Sequence, residues 1–174
     1  METSKAIELR YSCREFSDKQ ISDVDRDKIV RAANYAPVGM RDYPSFELIV
    51  IQDKTIINKI DEVMGKIMPF GNGHPTFKAP TLFVITSKKN ERIPGIGYAS
   101  GSCIAENIMI QAADLGIDSC YLMALPAMMQ DKKDMLELLQ MKEGFYPLII
   151  VPVGYATNKE NKDRENRLET RIIK

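Results

Sequence analysis

Apolar residues recur with the 3.6-residue period of an α-helix in four segments of the chain, and turn or cap residues bound each segment. The first of them has Ser22 or Asp23 available to cap its start and stops before Pro37, and the third stops at Gly116. The four predicted helices are 23–36, 54–68, 98–115 and 131–140.

Short runs of β-branched and apolar residues between these segments predict strands at 46–51, 81–86 and 148–153, and a strand or extended segment at 119–123. Pro152 suits a strand end or a sheet edge, because proline donates no ladder hydrogen bond. The breaker-rich stretch 69–75 is a predicted loop and a candidate lid. Since helices and strands are interspersed, we expect an α+β fold with a mixed central sheet flanked by helices.

No repeat, low-complexity tract or linker divides the 174 residues, so one domain spanning 1–174 is predicted. The longest apolar runs, near 82–85 and 148–153, fall far short of the ~20 residues that a membrane-spanning helix needs. The chain opens directly into charged sequence without an apolar leader segment. We therefore expect a cytoplasmic protein with no membrane contact.

Charge and cysteine usage exclude two further classes. Lys+Arg and Asp+Glu both number 24, so the basic excess of a nucleic-acid binder is missing. Cys13, Cys103 and Cys120 have neither metal-site spacing nor an even number, which predicts reduced structural thiols and no metal site. The lone histidine, His74, is predicted to be solvated in its loop rather than catalytic.

A glycine-rich G-x-G-x-x-x-G run at 95–101 raises the possibility of a dinucleotide-binding fold. In such folds the glycine loop joins a strand directly to a helix, so that the helix N-terminus meets the pyrophosphate. Here residues 88–94 intervene after the predicted strand, so the run is interpreted as a flexible approach to the helix.

Two guanidiniums and a hydroxyl alternate in the segment 10–16. Residues i, i+2 and i+4 of an extended chain share a side, so Arg10, Ser12 and Arg14 are placed to converge on one anion. Arginine offers bidentate, charge-assisted hydrogen bonds that suit a phosphate. The alternative is a solvated segment making ordinary surface ion pairs.

Four segments, in order along nearly the whole chain, resemble the nitroreductase family of FMN-dependent oxidoreductases. Residues 10–16 match its R-x-S-x-R-x-F opening, and 33–45 resemble its A-x-x-A-P-S-x-x-N-x-Q-P-W segment. Residues 105–122 are similar to its central helix and the L-G-L-G-x-x-W turn that follows. The last segment, 138–155, resembles the E-L-L-G-I-P-E-G-x-x-P and P-x-G-Y blocks.

The resemblance implies an intertwined homodimer with FMN bound at the interface between its subunits. The tail 158–174 is poor in apolar residues and needs a body to lie on, which a second subunit would provide. The implied FMN contacts are Arg10, Ser12 and Arg14 at the phosphate and ribityl chain, with Arg164 and Lys162 or Arg167 from the tail; Pro37, Val38, Gly39 and Arg41 from the partner chain; and Leu122, Met123 and Ala124 near the ring.

Three positions depart from the family pattern at the flavin's pyrimidine edge. Arg41, Tyr43 and Ser45 stand where the family has Asn, Gln and Trp. Arg41 and Tyr43 are kept as candidate flavin contacts. A fixed cation at Arg41 would stabilise the anionic reduced flavin and raise its potential. The alternative for Arg41 is an exposed side chain beside Asp42.

The implied activity is two-electron transfer from NADH or NADPH to an electron-poor acceptor such as a nitroaromatic or a quinone. Both substrates would use one ring face in turn with ping-pong kinetics, and no side chain need act as acid or base. Two alternatives stay open. One is a specialised flavoenzyme of the same fold, such as a reductive dehalogenase or a flavin-consuming enzyme, and the other is a non-catalytic flavin-binding protein.

Overall fold

The central sheet has four strands in the order β1-β2-β4-β3, and every ladder in it is antiparallel. The computed structural model describes residues 1–68, 70–158 and 168–173. The four strands thus form an antiparallel sheet where a mixed one is predicted, and the parallel bridge between Ser12 and Ser119 is isolated from its ladders. The strands are β1 Phe46–Ile51, β2 Thr81–Lys88, β3 Asp118–Ser119 and β4 Phe145–Gly154.

Pro152 lies inside the sheet, on a strand with neighbours on both sides. It pairs with Leu82 of β2, and its carbonyl accepts the Cys120 N–H at 3.1 Å. The prediction of an edge position is therefore wrong. The alternative of a strand end is confirmed, since β4 ends two residues later at Gly154.

Six α-helices pack on this sheet within the described residues, and they include all four that the sequence predicts. Ser22 caps α2 by accepting the Asp25 N–H at 3.1 Å. The two that the sequence reasoning missed are short: α1 has no side-chain cap, and α5 contains Pro126. The helices are α1 Thr3–Leu9, α2 Asp23–Asn34, α3 Lys54–Met64, α4 Ile96–Asp114, α5 Ala124–Met129 and α6 Lys133–Leu138.

Alternation along β2 divides the core into two layers. Phe83 and Ile85 point toward α2 and α4, whereas Leu82 and Val84 point toward α3, α5 and α6. The small residue Gly101 lets α4 lie close to the sheet, because a Cβ there would come within 3.1 Å of Ile149 Cδ1. The α+β fold with helices on both faces of the sheet is confirmed, and no helix in the described ranges is long and apolar enough to span a bilayer.

Candidate functional site

The segment 10–16 runs in extended conformation beside the segment that follows β3. The Cys13 N–H donates to the Ser119 carbonyl at 2.9 Å, next to the parallel Ser12–Ser119 bridge. Further on, Phe16 forms an antiparallel bridge with Ala156. The main chain is thus fixed at both ends of the segment, which also fixes the side to which each residue points.

The three residues predicted to face one anion do share the outer side of this segment. Cys13 and Phe16 are buried, whereas Ser12 and Arg14 are exposed and Arg10 is half-buried. The Arg10 Nε lies 3.5 Å from a carboxylate oxygen of Glu106 on α4. This ion pair orients Arg10 along α4 and leaves its two terminal nitrogens available as donors.

Two of these side chains lie close to the thiol of Cys120. Burial raises the pKa of the Cys120 thiol, while the positive charge of Arg14 and a hydrogen bond with Ser12 act in the opposite direction. Arg14 and Ser12 therefore both lie beside Cys120.

Between Leu122 and Ala124 the chain passes from the core to the protein surface. Leu122 exchanges two backbone hydrogen bonds with Ile150, each 2.9 Å long, and its side chain belongs to the core. Met123 is 51% exposed and Ala124 is exposed as well. Of the three predicted ring contacts, only Met123 and Ala124 are exposed, whereas Leu122 is buried.

The loop 37–43 is held against the start of α4. The Gly39 N–H donates to Ser100 Oγ at 3.0 Å, and a Cβ on Gly39 would lie 2.7 Å from Ile96 Cδ1. Val38 is buried. A side chain at Gly39 would therefore require Ile96 to move.

The outer part of the same loop faces solvent. Met40 and Arg41 both have left-handed φ angles, 58° and 56°, a conformation that costs non-glycine residues energy. Pro37 and Arg41 are exposed. The Tyr43 hydroxyl donates to the Ala36 carbonyl at 3.4 Å and the residue is half exposed. In the described part of the chain Arg41 forms no ion pair.

Only part of the tail belongs to the described residues. Lys162 and Arg164, with Arg167, lie outside the described residues, so their predicted contacts with the phosphate remain predictions. The end that is described, 168–173, carries Leu168, Ile172 and Ile173 with 87%, 77% and 82% of their surfaces exposed.

A buried carboxylate that the sequence reasoning missed holds the predicted lid. Asp61 on α3 is 4% exposed and accepts hydrogen bonds from the Thr76 N–H at 2.9 Å and the Thr76 hydroxyl at 2.8 Å. His74 Nδ1 lies 3.2 Å from the same carboxylate. An acidic residue next to Ile60 in the apolar stripe of α3 was the available signal. The 70–78 loop is therefore attached to the body of the protein.

Two aromatic residues flank His74 in this loop. Phe77 is buried in the core, Phe70 is 39% exposed, and their ring centroids lie 6.3 Å apart. Phe77 therefore anchors the loop to the body of the protein. His74 is partly exposed, as predicted, but it also contacts Asp61.

The cysteines are free, as expected, but they differ in setting. Cys13 and Cys120 are buried, whereas Cys103 is exposed on α4. The prediction of three structural thiols is thus wrong for Cys103, because its position on α4 faces outward. Burial also raises the pKa of the Cys13 thiol, and its Sγ donates to the Glu15 carbonyl at 3.2 Å.

Comparison with known proteins identifies the class to which this fold and surface belong. The nitroreductase family model matches residues 7–155, and the chain belongs to that family. A protein of Archaeoglobus fulgidus named "Putative NADH dehydrogenase/NAD(P)H nitroreductase" is 32% identical over 93% of this chain and 88% of its own length.

Solved structures agree on the fold. A nitroreductase with bound FMN from Bacteroides fragilis superposes with a TM-score of 0.84 at 22% identity, covering all of both chains. An FMN-dependent nitroreductase from Clostridium difficile R20291 is 27% identical, with a TM-score of 0.75 over 94% of this chain and 92% of the other.

Proposed function

We propose that this chain forms a homodimeric FMN oxidoreductase that takes two electrons from NADH or NADPH and passes them to an electron-poor acceptor such as a nitroaromatic or a quinone. Family membership and the FMN-dependent relative from Clostridium difficile support the class. The observation that carries the proposal is that exposed Ser12 and Arg14 both lie beside Cys120, three residues before the exposed Met123, with half-buried Arg10 in the same segment.

The donor set of this segment fits the phosphate of FMN. The Arg14 guanidinium forms no ion pair with any described residue, and the exposed Ser12 hydroxyl lies next to it. Arg10 contributes its two terminal nitrogens, since only its Nε is engaged with Glu106. A phosphate accepts several such charge-assisted hydrogen bonds at once. Met123 and Ala124 then offer an apolar surface on which a flat ring can lie.

A homodimer would cover apolar side chains that one chain leaves exposed. The apolar side chains of Leu168, Ile172 and Ile173 are almost fully exposed, and burying them against a second subunit removes them from water. The loop 37–43 presents Pro37, Arg41 and Tyr43 outward, as a segment that reaches the partner's flavin would.

The chain's residues bind and orient the reactants, while bound FMN supplies the hydride chemistry. Arg10, Ser12 and Arg14 hold the phosphate. Arg41 of the other subunit places a positive charge toward the pyrimidine edge, where it favours the anionic reduced state. No side chain is assigned as a catalytic acid or base.

The first experiment is a visible spectrum of the purified protein, followed by identification of any flavin released on denaturation. Anaerobic mixing with NADH or NADPH should then bleach the flavin band, and addition of a nitroaromatic or a quinone should restore it. Initial velocities with both substrates varied should give parallel double-reciprocal lines. A yellow protein that neither nucleotide bleaches would instead be a flavin-binding protein without this activity.

A second candidate, reductive dehalogenation, is favoured by one relative. An iodotyrosine deiodinase of Haliscomenobacter hydrossis is 27% identical over 86% of this chain and 77% of its own length. Assaying iodide release from iodotyrosine beside nitroaromatic reduction, with the same reduced enzyme, separates the two. Iodide release that is much faster than nitro reduction would favour the deiodinase reaction.

A further inference from the structure

A cavity of about 540 Å³ opens between the loop that carries Arg41 and the turn that leaves β2. Its walls come from three segments: 39–46, 87–92 and the first residues of α4. The β1–β2 pairing brings the first two together, since Phe46 lies opposite Ser87. Its volume is in the range of pockets that bind small molecules and cofactors.

Two cations in this cavity are available to a ligand. Lys89 and Arg92 are exposed and make no ion pair with any residue in the described ranges. Lys88 differs, because its Nζ lies 5.4 Å from the centroid of the Phe145 ring. The turn between the two cations is fixed, since Asn90 Oδ1 accepts the N–H groups of Arg92 at 3.0 Å and Ile93 at 3.1 Å.

The remaining polar groups favour a nucleotide over a bare anion. Asp42 and Glu91 also line the cavity, and their negative charges oppose the binding of a simple phosphate. Arginine accommodates the 2′-phosphate of NADP, whereas an acidic side chain accepts the 2′-hydroxyl of NAD. On the phosphorylated ribose of NADPH a carboxylate still has the free 3′-hydroxyl as a donor. Ile96 and Gly97 add the positive end of the 19-residue α4 to the same wall.

We propose that this cavity binds the adenosine end of NADPH, with Lys89 and Arg92 pairing with the 2′-phosphate and one of the carboxylates, Asp42 or Glu91, accepting the 3′-hydroxyl of the same ribose. The assignment rests on the proposed function, which places the Arg41 loop next to the partner's flavin. Met40 and Asp42 belong to both the loop and the cavity wall. A dinucleotide seated here has its nicotinamide end free to extend along the loop toward that flavin.

The test compares NADPH with NADH in the intact holoenzyme. Steady-state rates are measured for the wild type, Lys89→Ala, Arg92→Ala and the double variant, with Arg92→Lys as the conservative change. Lys54→Ala, an exposed lysine at the start of α3, is the matched control. We expect the ratio of kcat/KM for NADPH to that for NADH to fall about fivefold to twentyfold in Arg92→Ala. Arg92→Lys should recover part of this loss and Lys54→Ala should match the wild type.

Inhibition by nucleotide fragments gives a second readout. We expect 2′,5′-ADP to compete with NADPH in the wild type and 5′-AMP to compete at least tenfold more weakly. The assignment is overturned if no cavity variant changes the ratio of kcat/KM for NADPH to that for NADH, or if 2′,5′-ADP and 5′-AMP inhibit equally. In either case the proposed function still stands.

Failure of the proposed function gives a different result, because neither nucleotide then reduces the flavin. Calorimetric titration with 2′,5′-ADP still decides the cavity assignment in that case. Binding that the Lys89→Ala/Arg92→Ala variant weakens tenfold or more supports it. Binding that the variant leaves unchanged, or no binding at all, overturns it.

Discussion

Replacing Asp61 with alanine should destabilise the protein by detaching the 70–78 loop from α3. Thr76 is fully buried and donates both its N–H and its hydroxyl to the Asp61 carboxylate. Alanine removes both acceptors, and each buried donor left without a partner costs about 1 to 3 kcal/mol. The free energy of unfolding should therefore fall by about 4 kcal/mol. In a chain of this size that corresponds to a melting temperature lower by about 8 to 16 °C.

Two further variants divide this loss between the hydrogen bonds. Asp61→Asn keeps one carbonyl acceptor, so it should cost about half as much. Thr76→Val removes the hydroxyl donor and should cost about 1 to 2 kcal/mol on its own. In the double variant Asp61→Ala/Thr76→Val the hydroxyl is no longer orphaned. The combined loss should thus fall short of the sum by about 1 to 2 kcal/mol.

Thermal unfolding followed by circular dichroism measures these changes, with the same excess of FMN in every sample so that ligand binding shifts all curves alike. Glu62→Ala is the matched control, because Glu62 is the next residue on α3 but is exposed. Its melting temperature should equal that of the wild type. The reasoning is refuted if Asp61→Ala melts with the control, or if the Asp61 and Thr76 losses simply add.

Four further predictions concern the binding surface and the thiols. Arg14→Ala should weaken FMN binding about tenfold to a hundredfold by fluorescence titration, whereas Arg31→Ala, an exposed change on α2, should not. Arg41→Ala should lower the midpoint potential of the bound flavin, and an unchanged potential would exclude the proposed role. Ellman's reagent should modify only Cys103 in the native chain and all three thiols in denaturant. Since the two buried thiols titrate above their ordinary pKa of 9.0, unfolding releases protons at alkaline pH. The free energy of unfolding should then decrease as pH rises past 9.0, and replacing either buried cysteine with alanine should flatten that decrease.

The local sequence pattern predicted that Ser12 and Arg14 lie on one side of their segment, but it did not predict the short helices α1 and α5. Alternation along an extended chain is enough to put Ser12 and Arg14 on one side, and the structure shows them there. The short helices α1 and α5 escaped prediction because α1 buries only Ala6, so it has no apolar stripe, and because α5 contains Pro126. Their ends are fixed by packing against the body rather than by caps.

Features that join distant parts of the chain could not be predicted in this way. The bond from Thr76 to Asp61 spans 15 residues and depends on how the chain returns after α3. The cavity likewise exists because the β1–β2 register sets Phe46 opposite Ser87. A lone sequence reveals that Asp61 interrupts an apolar stripe, but it does not identify the donor that compensates for burying the charge.

The central helix α4 gives a physical reason for the proposed sharing of each flavin site between two subunits. The loop 37–43 is fixed to α4 at Ser100, through Gly39, and the anion-facing segment is fixed to it at Glu106, through Arg10. At 3.6 residues per turn, six residues place these attachments about 120° apart around the helix and about 9 Å apart along it. One chain therefore holds the two elements on different sides of α4, and a second chain is the simplest way to bring both to one flavin.

Mixed dimers test this arrangement directly. Arg14→Ala and Arg41→Ala chains are co-expressed with different tags and their heterodimer is isolated. If each flavin site is shared between subunits, the two sites of this heterodimer differ. One site carries both substitutions and the other carries none, so half of the sites should bind FMN with wild-type affinity and potential. If each chain instead built a complete site, every site in the heterodimer would carry one substitution. A titration with no wild-type component would then rule out sharing, because Arg14 and Arg41 would act on the same flavin from one chain.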